Sequence, residues 1–321
     1  MKKSDFEYVL KLLRTYAGWD LTQDKYFIVD RKLYNYICDK GYMSVEDLLE
    51  ELKVGNKALL WQVIETLTMS ETYFYRDVEV FQNFEKLLLP KIREMKRSTK
   101  KLRVWSLGCA TGQETYSIAM SIKNNLSGVK DWNVHILGSD ICSASISKAQ
   151  KGQYNQFEVQ MGLNMKQILQ NFYREKEIWT INDDIRSLVE FRRYNLMEEM
   201  TYSESYDIIF CRYVMQFFPK EIQLKVLEKI YQHQNPAGFL FIGCNEKIEN
   251  IEKFYQPVKG FPCLYQAKNN ISISEPVRSQ SNQSVSVQQK ADSDGMPQFV
   301  RPQALTYSDA ALSETILKTE K

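Results

Sequence analysis

Histidine and closely spaced cysteines are scarce in this chain. Two histidines occur in 321 residues, and the six cysteines include no C-x-x-C pair. Structural zinc sites and disulfide frameworks both need such ligands at short, regular spacing. We therefore expect no metal site, and reduced thiols that are typical of a cytoplasmic protein. The cysteines are scattered as Cys38, Cys109, Cys142, Cys211, Cys244 and Cys263.

A strong net charge and a membrane-length apolar run are also missing. Lys and Arg total 42 against 40 Asp and Glu, so the formal charge is +2. Such a chain has no overall field that would draw it to nucleic acid. The start Met1–Asp5 leads into an amphipathic pattern rather than a signal peptide. We expect a protein that is not a membrane protein, and the 44% hydrophobic content suffices for a sizeable core.

The stretch Val104–Ala119 carries the most information about function. It predicts an apolar strand, a turn that contains Gly108 and Gly112, and the start of an apolar helix. This arrangement presents backbone N–H groups at the carboxyl end of a strand, where α/β sheets bind nucleotides. The G-x-G-x-x-G fingerprint and the G-K-[ST] of a phosphate loop are both absent. The turn is therefore expected to hold something other than a pyrophosphate, although the glycines alone fit a purely structural turn equally well.

An acidic residue ends the next predicted strand, Val134–Ile141. Asp140 follows the glycine turn by about thirty residues, where nucleotide-binding βαβ units place an acid that accepts hydrogen bonds from ribose hydroxyls. The alternative role for Asp140 is a helix N-cap, for which Ser143 and Ser145 compete. The glycine turn upstream favours the ribose role.

Further periodic segments predict an α/β fold. Apolar strands are expected over Tyr206–Arg212 and Phe239–Gly243, the second after a turn at Asn235–Gly238. Strands that alternate with helical stretches form mostly parallel sheets covered on both faces. Before them, three apolar faces at helical spacing are formed by Phe6, Val9, Leu10, Leu12 and Leu13; by Val45, Leu48, Leu49 and Leu52; and by Leu59, Leu60, Val63, Ile64 and Leu67.

These patterns divide the chain into four parts. We expect a helical domain over residues 1–90, a basic linker over 91–101, an α/β domain over 102–268 and a disordered tail over 269–321. The basic linker fits a solvated helix end; the alternative is contact with an acidic partner.

Several segments, in order, resemble the chemotaxis receptor methyltransferases, the CheR family. The resemblance spans about residues 5–267 and implies a Rossmann-like methyltransferase domain with a mostly parallel sheet, preceded by a small all-helical domain. It implies S-adenosylmethionine as methyl donor and glutamate side chains of a chemoreceptor's cytoplasmic domain as acceptors. The segments are Ser70–Asp77, Gly108–Ala119, Asp140, Tyr194–Leu196, Phe210–Arg212, and Gly238–Gly243 followed by Glu246.

The implied reaction explains the scarcity of histidine. The acceptor is a carboxylate that is already ionised at neutral pH, so methyl transfer needs no general base. The protein must hold a sulfonium cation and a carboxylate at attack distance in a partly dry pocket.

Arg76 is the residue expected to matter most for this chemistry. A planar guanidinium binds carboxylates bidentately, and the resemblance places Arg76 beside the donor's carboxylate or the acceptor glutamate. Thr72 and Ser70 would add hydroxyls. The alternative is a surface ion pair between Arg76 and Asp77 or Glu79.

The resemblance also implies roles for residues after the glycine turn. Glu114 would pair with the donor's ammonium, although a simple interaction with a helix dipole also fits. Asn195 and Leu196 would border the adenine, and Cys211 and Arg212 would line the pocket. The cofactor-binding set implied in this way is Ser70, Thr72, Arg76, Gly108, Glu114, Asp140, Asn195, Leu196, Cys211 and Arg212.

Three positions depart from the family pattern. Tyr213 replaces a usual Asn, Phe217 a usual Tyr and Cys244 a usual His. These departures leave open a donor-binding regulatory relative with little catalysis, or a methyltransferase for another acceptor such as RNA. Against RNA, no aromatic residues are interleaved with the basic run, as single-strand binding favours.

An insert within about residues 153–193 forms a small β subdomain in the family, where some members use it to grip a receptor's C-terminal peptide. Candidate strands here are Trp179–Ile181 and Leu188–Phe191, joined by Asn182–Ser187. Because the insert is compact, we expect weak or absent tethering. No oligomerisation signal is visible, so a monomer is expected.

Overall fold

The computed structural model describes residues 1–22, 25–126, 128–199 and 204–269. The predicted disordered tail lies outside these ranges except for its first residue. Within the described ranges, no helix has both the length and the apolar character needed to cross a membrane.

Four helices open the chain, and the three predicted apolar faces lie on the first, third and fourth. Ser44 and Asn56 cap the third and fourth helices, because their side chains accept hydrogen bonds from the Asp47 and Leu59 amides. The second helix was not predicted. Its apolar residues are spread around its surface, so that Phe27 is 80% exposed while Leu33 is buried. The helices are α1 Lys3–Ala17, α2 Tyr26–Lys40, α3 Val45–Lys53 and α4 Lys57–Leu67.

The remaining elements alternate between helices and strands, as the sequence predicts. A helical segment comes first, in which a π-helical turn at Phe84–Leu88 joins α5 Val78–Asn83 to α6 Leu89–Met95. The elements that follow are β1 Lys101–Leu107, α7 Gln113–Asn125, β2 Asn133–Asp140, α8 Ser143–Lys151, β3 Gln153–Asn155, α9 Gln156–Gln160, α10 Met165–Asn171, β4 Phe172–Glu175, β5 Ile178–Ile181, α11 Asp183–Arg186, β6 Val189–Arg193, β7 Tyr206–Cys211, α12 Lys220–Gln232, β8 Gln234–Phe241, β9 Tyr255–Pro257 and β10 Leu264–Ala267.

A seven-stranded sheet with the order β6-β2-β1-β7-β8-β10-β9 is the centre of the fold. The strands from β6 to β8 are parallel, and β10 and β9 are antiparallel at one edge. The fold is therefore α/β with a mostly parallel sheet, as predicted. Because β1 lies between β2 and β7, the strand order reverses there, and such switch points are where open α/β sheets bind ligands.

Two local predictions about strands were wrong. Leu188–Phe191 does not join the insert, because β6 pairs in parallel with β2 through Val189 opposite Ile136. Asn235–Gly238 is not a turn before a strand, because β8 already begins at Gln234. Instead, the register of β7 and β8 shifts between Tyr206 and Ile208, and Ala237 takes a positive φ of 57°. A bulge can absorb Pro and Gly that a regular central strand would not.

The insert itself is a three-stranded antiparallel sheet with the order β3-β5-β4. Of its strands, the sequence predicted only the one around Trp179. The short strands β3 and β4 were missed because three or four residues carry too little periodicity to identify a strand.

The two faces of the large sheet belong to two hydrophobic clusters. One contains Trp105, Leu107 and Leu240 together with buried residues of α1 to α4. The other contains Phe210 and Phe241, whose rings stack with centroids 4.5 Å apart. The N-terminal helices therefore share a core with the sheet, and the domain boundary near residues 90–102 stays a prediction.

Candidate active site

A cavity of about 880 Å³ opens at the carboxyl ends of β1, β2 and β7. One wall comes from residues 107–108, 110, 139–142, 194–196, 212–214 and 216–218 of the sheet region. The other comes from the helical region and the segment that follows it, including Trp19, Lys32 and Ser70–Glu71. The volume lies within the range of small-molecule sites. The cavity therefore sits at the switch point of the sheet.

The glycine turn after β1 is fixed in one conformation. Gly108 has a φ of 68°, and a Cβ there would come within 2.3 Å of the Val214 side chain. Its N–H and that of Cys109 donate to the Ser139 carbonyl at 2.8 and 3.0 Å. Only glycine fits this position, because both the backbone angle and the close approach exclude a side chain.

Asp140 closes the same turn from the end of β2. Its carboxylate oxygens accept hydrogen bonds from the Ala110 and Cys142 amides, each at 2.9 Å, and it lines the cavity. Burial raises the pKa of Asp140 despite these bonds. The helix after it has Cys142 at its N-cap without a side-chain cap, so Asp140 does not fill the capping role that was the alternative.

Ser143 and Ser145, the other candidates for the N-cap of α8, make contacts elsewhere. Ser143 donates to Glu65 at 2.8 Å, and Ser145 lies 3.4 Å from the Ser70 hydroxyl. Ser70 itself lines the cavity, so the loop before α5 meets the start of α8 there.

Arg212 forms a buried ionic network at the cavity wall. Its guanidinium donates to Glu114 at 2.8 Å, to Asp77 at 2.7 Å and to the Arg76 carbonyl at 2.6 Å. The Arg212 side chain is 1% exposed. A buried cation must be paired and hydrogen-bonded, and two carboxylates do this here. Arg212 therefore ties the segment before α5 to the end of β7.

Glu114 belongs to the buried network of Arg212, and its pairing with the donor's ammonium stays a prediction. Its two oxygens accept hydrogen bonds from Ser106 and Arg212, both at 2.8 Å, and it does not belong to the cavity wall. Cys211 is fully buried, and burial raises the pKa of its thiol well above the ordinary value. Thr72 is half-buried and, like Glu114 and Cys211, lies off the cavity wall.

Arg76 projects to the cavity and is free of ion pairs within the described ranges. One nitrogen donates to the Glu71 carbonyl at 2.8 Å, and the guanidinium lies 4.0 Å from the centre of the Tyr213 ring. Asp77, a partner proposed in the alternative interpretation, pairs with Arg212 instead. The guanidinium of Arg76 therefore keeps donors available for an anion in the cavity.

Asn195 and Leu196 line the cavity as expected. The Asn195 amide also donates to the Tyr16 carbonyl at 2.7 Å, which links the end of α1 to the loop after β6. Its oxygen accepts from the Met197 amide at 3.1 Å. Asn195 thus joins the two walls, a contact that nothing in the local sequence indicates.

Among the cavity residues that the sequence did not indicate are Trp19 and Lys32 of the helical region. Trp19 stacks on Phe217 with ring centroids 5.0 Å apart. Lys32 donates to the carbonyls of Thr66 and Thr68, and burial lowers its pKa. No motif could have found these two residues of the helical region, because each faces the cavity only through the packing of the helices on the sheet.

The predicted site residues thus fall into two groups. Thr72, Glu114 and Cys211 lie off the cavity wall. The wall contains Ser70, Arg76, Gly108, Asp140, Asn195, Leu196 and Arg212. Whether each of these residues binds the donor stays a prediction. No group of His, Cys, Asp or Glu in the described ranges could hold a metal ion.

Comparisons with known proteins identify the class of enzyme to which this chain belongs. Residues 70–261 match the family model "CheR methyltransferase, SAM binding domain". Chemotaxis protein methyltransferase 1 of Pseudomonas aeruginosa is 30% identical over 272 residues, which cover 83% of this chain and 98% of the relative. Chemotaxis protein methyltransferase Cher2 of Pseudomonas putida is 30% identical over 273 residues, 82% of this chain and 98% of the relative. The relative from Vibrio parahaemolyticus is 29% identical over 274 residues, with 83% and 98% covered.

Fold, cavity and comparisons together define an S-adenosylmethionine-dependent methyltransferase of the α/β class. Within that class, the chain belongs to the CheR family of chemotaxis methyltransferases.

The cavity residues fit S-adenosylmethionine chemically. Asp140 offers a carboxylate at the end of β2, suited to hydroxyl donors. Arg76 offers a guanidinium that has no ion pair in the described ranges and is suited to a carboxylate. Trp19, Leu196 and Phe217 supply apolar surface.

Proposed function

We propose that the chain methylates glutamate side-chain carboxylates in the cytoplasmic part of chemoreceptors, forming glutamyl methyl esters for chemotactic adaptation. Membership of the chemotaxis methyltransferase family supports the receptor as acceptor. The observation that carries the carboxylate chemistry is Arg76, which faces the cavity without an ion-pair partner in the described ranges.

Arg76 binds and orients a carboxylate in this proposal. When bound, S-adenosylmethionine supplies a methyl group on a positively charged sulfur. The guanidinium fork of Arg76 fits a carboxylate with two parallel hydrogen bonds, either on the donor's amino-acid part or on the acceptor glutamate. Holding reactants in a fixed geometry provides a large part of the rate enhancement in such transfers.

The chain's other residues need not move a proton. The acceptor glutamate is ionised at neutral pH, which agrees with a cavity wall that contains no histidine. The stacked pair Trp19 and Phe217 and the side chain of Leu196 give part of the cavity an apolar lining, which disfavours water. Drier surroundings strengthen electrostatic interactions between the reacting charges.

The test uses methyl-labelled S-adenosylmethionine, the full chain and a soluble receptor cytoplasmic fragment. Methyl esters release volatile methanol in base, which is counted. We expect methanol from the wild type. For Arg76→Ala we expect kcat/KM to fall by about 10- to 100-fold, which corresponds to the free energy of one hydrogen bond to a charged group. The matched control is Lys130→Ala, because Lys130 is exposed and precedes β2 at the opposite end of the sheet.

Two outcomes would contradict the proposal. Donor binding by calorimetry without any methanol would favour a donor-binding regulatory relative or another acceptor. Equal losses for Arg76→Ala and Lys130→Ala would remove the assigned role of Arg76.

A further inference from the structure

Tyr213 has an unusual backbone immediately after β7. Its φ is 62°, in the left-handed region that residues with a side chain rarely adopt. The Glu246 carboxylate accepts a hydrogen bond from the Tyr213 amide at 2.6 Å and from the Gly243 amide at 2.7 Å. Strained residues of this kind persist only where the surroundings hold them in place, and they cluster at functional sites.

The Tyr213 ring is held on three sides. A Cβ on Gly243 would come within 2.8 Å of the ring, so glycine is needed for this packing. The hydroxyl donates to Asp77, the carboxylate that also accepts from Arg212. The remaining face carries the Arg76 guanidinium, 4.0 Å from the ring centre. That distance lies well inside the 6 Å limit for a cation–π contact.

We propose that Tyr213 is a positioning residue that holds the Arg76 guanidinium at the cavity. This inference rests on the proposed function and extends it to a residue where this chain departs from its family's usual Asn. Asp77 does not hold Arg76 by an ion pair in the described ranges, and its Oδ2 accepts hydrogen bonds from Arg212 and Tyr213 instead. The ring fixes the orientation of Arg76 while leaving its hydrogen-bond donors free, which a carboxylate partner would not do.

The hydrogen bond from the Tyr213 hydroxyl to Asp77 persists over the physiological pH range. Burial, together with the neighbouring Asp77, raises the pKa of Tyr213 to about 12. The hydroxyl therefore keeps its proton and donates to Asp77 throughout that range.

A double-mutant cycle tests whether Tyr213 acts through Arg76. The full-length wild type, Tyr213→Ala, Arg76→Ala and the double variant are compared by calorimetric donor Kd and by KM and kcat for the receptor fragment. We expect Tyr213→Ala to weaken binding of the ligand that Arg76 holds by about 3- to 30-fold. In the Arg76→Ala background, the same change should have less than about a 2-fold effect.

Two further variants separate the ring from its surroundings. Tyr213→Phe keeps the ring and should recover most of the affinity. Tyr73→Ala removes the other ring near Arg76, which lies 5.8 Å away, and should have a much smaller effect because cation–π attraction weakens with distance.

A structural readout keeps this test independent of turnover. In protein labelled on arginine, the ring current of Tyr213 should shift the Arg76 side-chain NMR signal. The shift should survive in Tyr213→Phe and Tyr73→Ala and disappear in Tyr213→Ala. Absence of the shift in the wild type, or equal effects of Tyr213→Ala in both backgrounds of the cycle, would overturn the positioning role. Failure of the wild type to release methanol would count against the proposed function alone.

Discussion

Each wall of the cavity contains an arginine, and the two arginines lie in opposite environments. On the sheet wall, Arg212 is 1% exposed and donates to two carboxylates and a carbonyl. On the other wall, Arg76 is half-buried, rests on an aromatic ring and has no ion pair in the described part of the chain. The two residues are in contact, because Arg212 donates to the Arg76 carbonyl. Two arginines that contact each other therefore have different roles: Arg212 binds other parts of the protein, and Arg76 keeps donors for a ligand.

The difference follows from the cost of burial. A buried guanidinium needs charged partners that compensate its lost hydration, and those partners leave it few donors for a ligand. A guanidinium at a cavity wall keeps its hydration and its free donors. We infer that the sheet wall provides a rigid base, while the opposite wall carries the groups that bind anions.

The largest expected effect comes from breaking the buried network. Arg212→Leu leaves Glu114 and Asp77 without their cation, so we expect the free energy of unfolding to fall by about 3–5 kcal/mol. Urea unfolding followed by circular dichroism measures this loss. Arg76→Leu is the matched control and should change stability by less than about 1 kcal/mol. Similar losses in the two variants would show that the walls do not differ as described.

A smaller effect is expected at Asp140, on the donor side of the sheet wall. Asp140→Asn removes a charged acceptor, so the Kd for S-adenosylmethionine in calorimetry should rise by about 10- to 100-fold. Burial raises the pKa of Asp140, so the wild type should lose donor affinity at a higher pH than an ordinary aspartate would. Asp140→Asn should not show this loss of donor affinity at acidic pH. An unchanged Kd for the variant would argue against the ribose role of Asp140.

The smallest expected effect concerns pH and Asp77. Burial acts to raise the pKa of Asp77, but hydrogen bonds from Tyr213 and Arg212 outweigh it and lower that pKa. A lowered folded-state pKa contributes stability above the unfolded-state pKa, and this stability disappears as the pH falls through the folded-state value. Asp77→Asn should therefore cost about 1 kcal/mol at neutral pH and nothing in strong acid.

Urea midpoints measured from neutral to acidic pH would check this expectation. Parallel curves for the wild type and Asp77→Asn would show that the Asp77 carboxylate does not couple the two walls.

Much of the fold was predictable because its signals are local. The apolar runs of β1, β2 and β7 and the helical spacing in α1, α3 and α4 appear in the sequence. The antiparallel strands β9 and β10 were not predicted, since they have three and four residues. They exist because β10 pairs with β8 and β9 pairs with β10. The strand β6 was recognised but assigned to the insert, because strand pairing depends on partners that are distant in sequence.

The site divides in the same way. Sequence alone determined the glycine turn, the acid at the end of β2 and the class of methyltransferase, since each depends on a short motif in a fixed order. Tertiary structure alone decided that Glu114 binds Arg212, 98 residues away, and that Asn195 binds Tyr16, 179 residues away. It also decided that Tyr213 lies under Arg76. The physical reason is that motifs encode backbone shape locally, whereas the partner of a buried charge or amide is selected by the packing of distant segments.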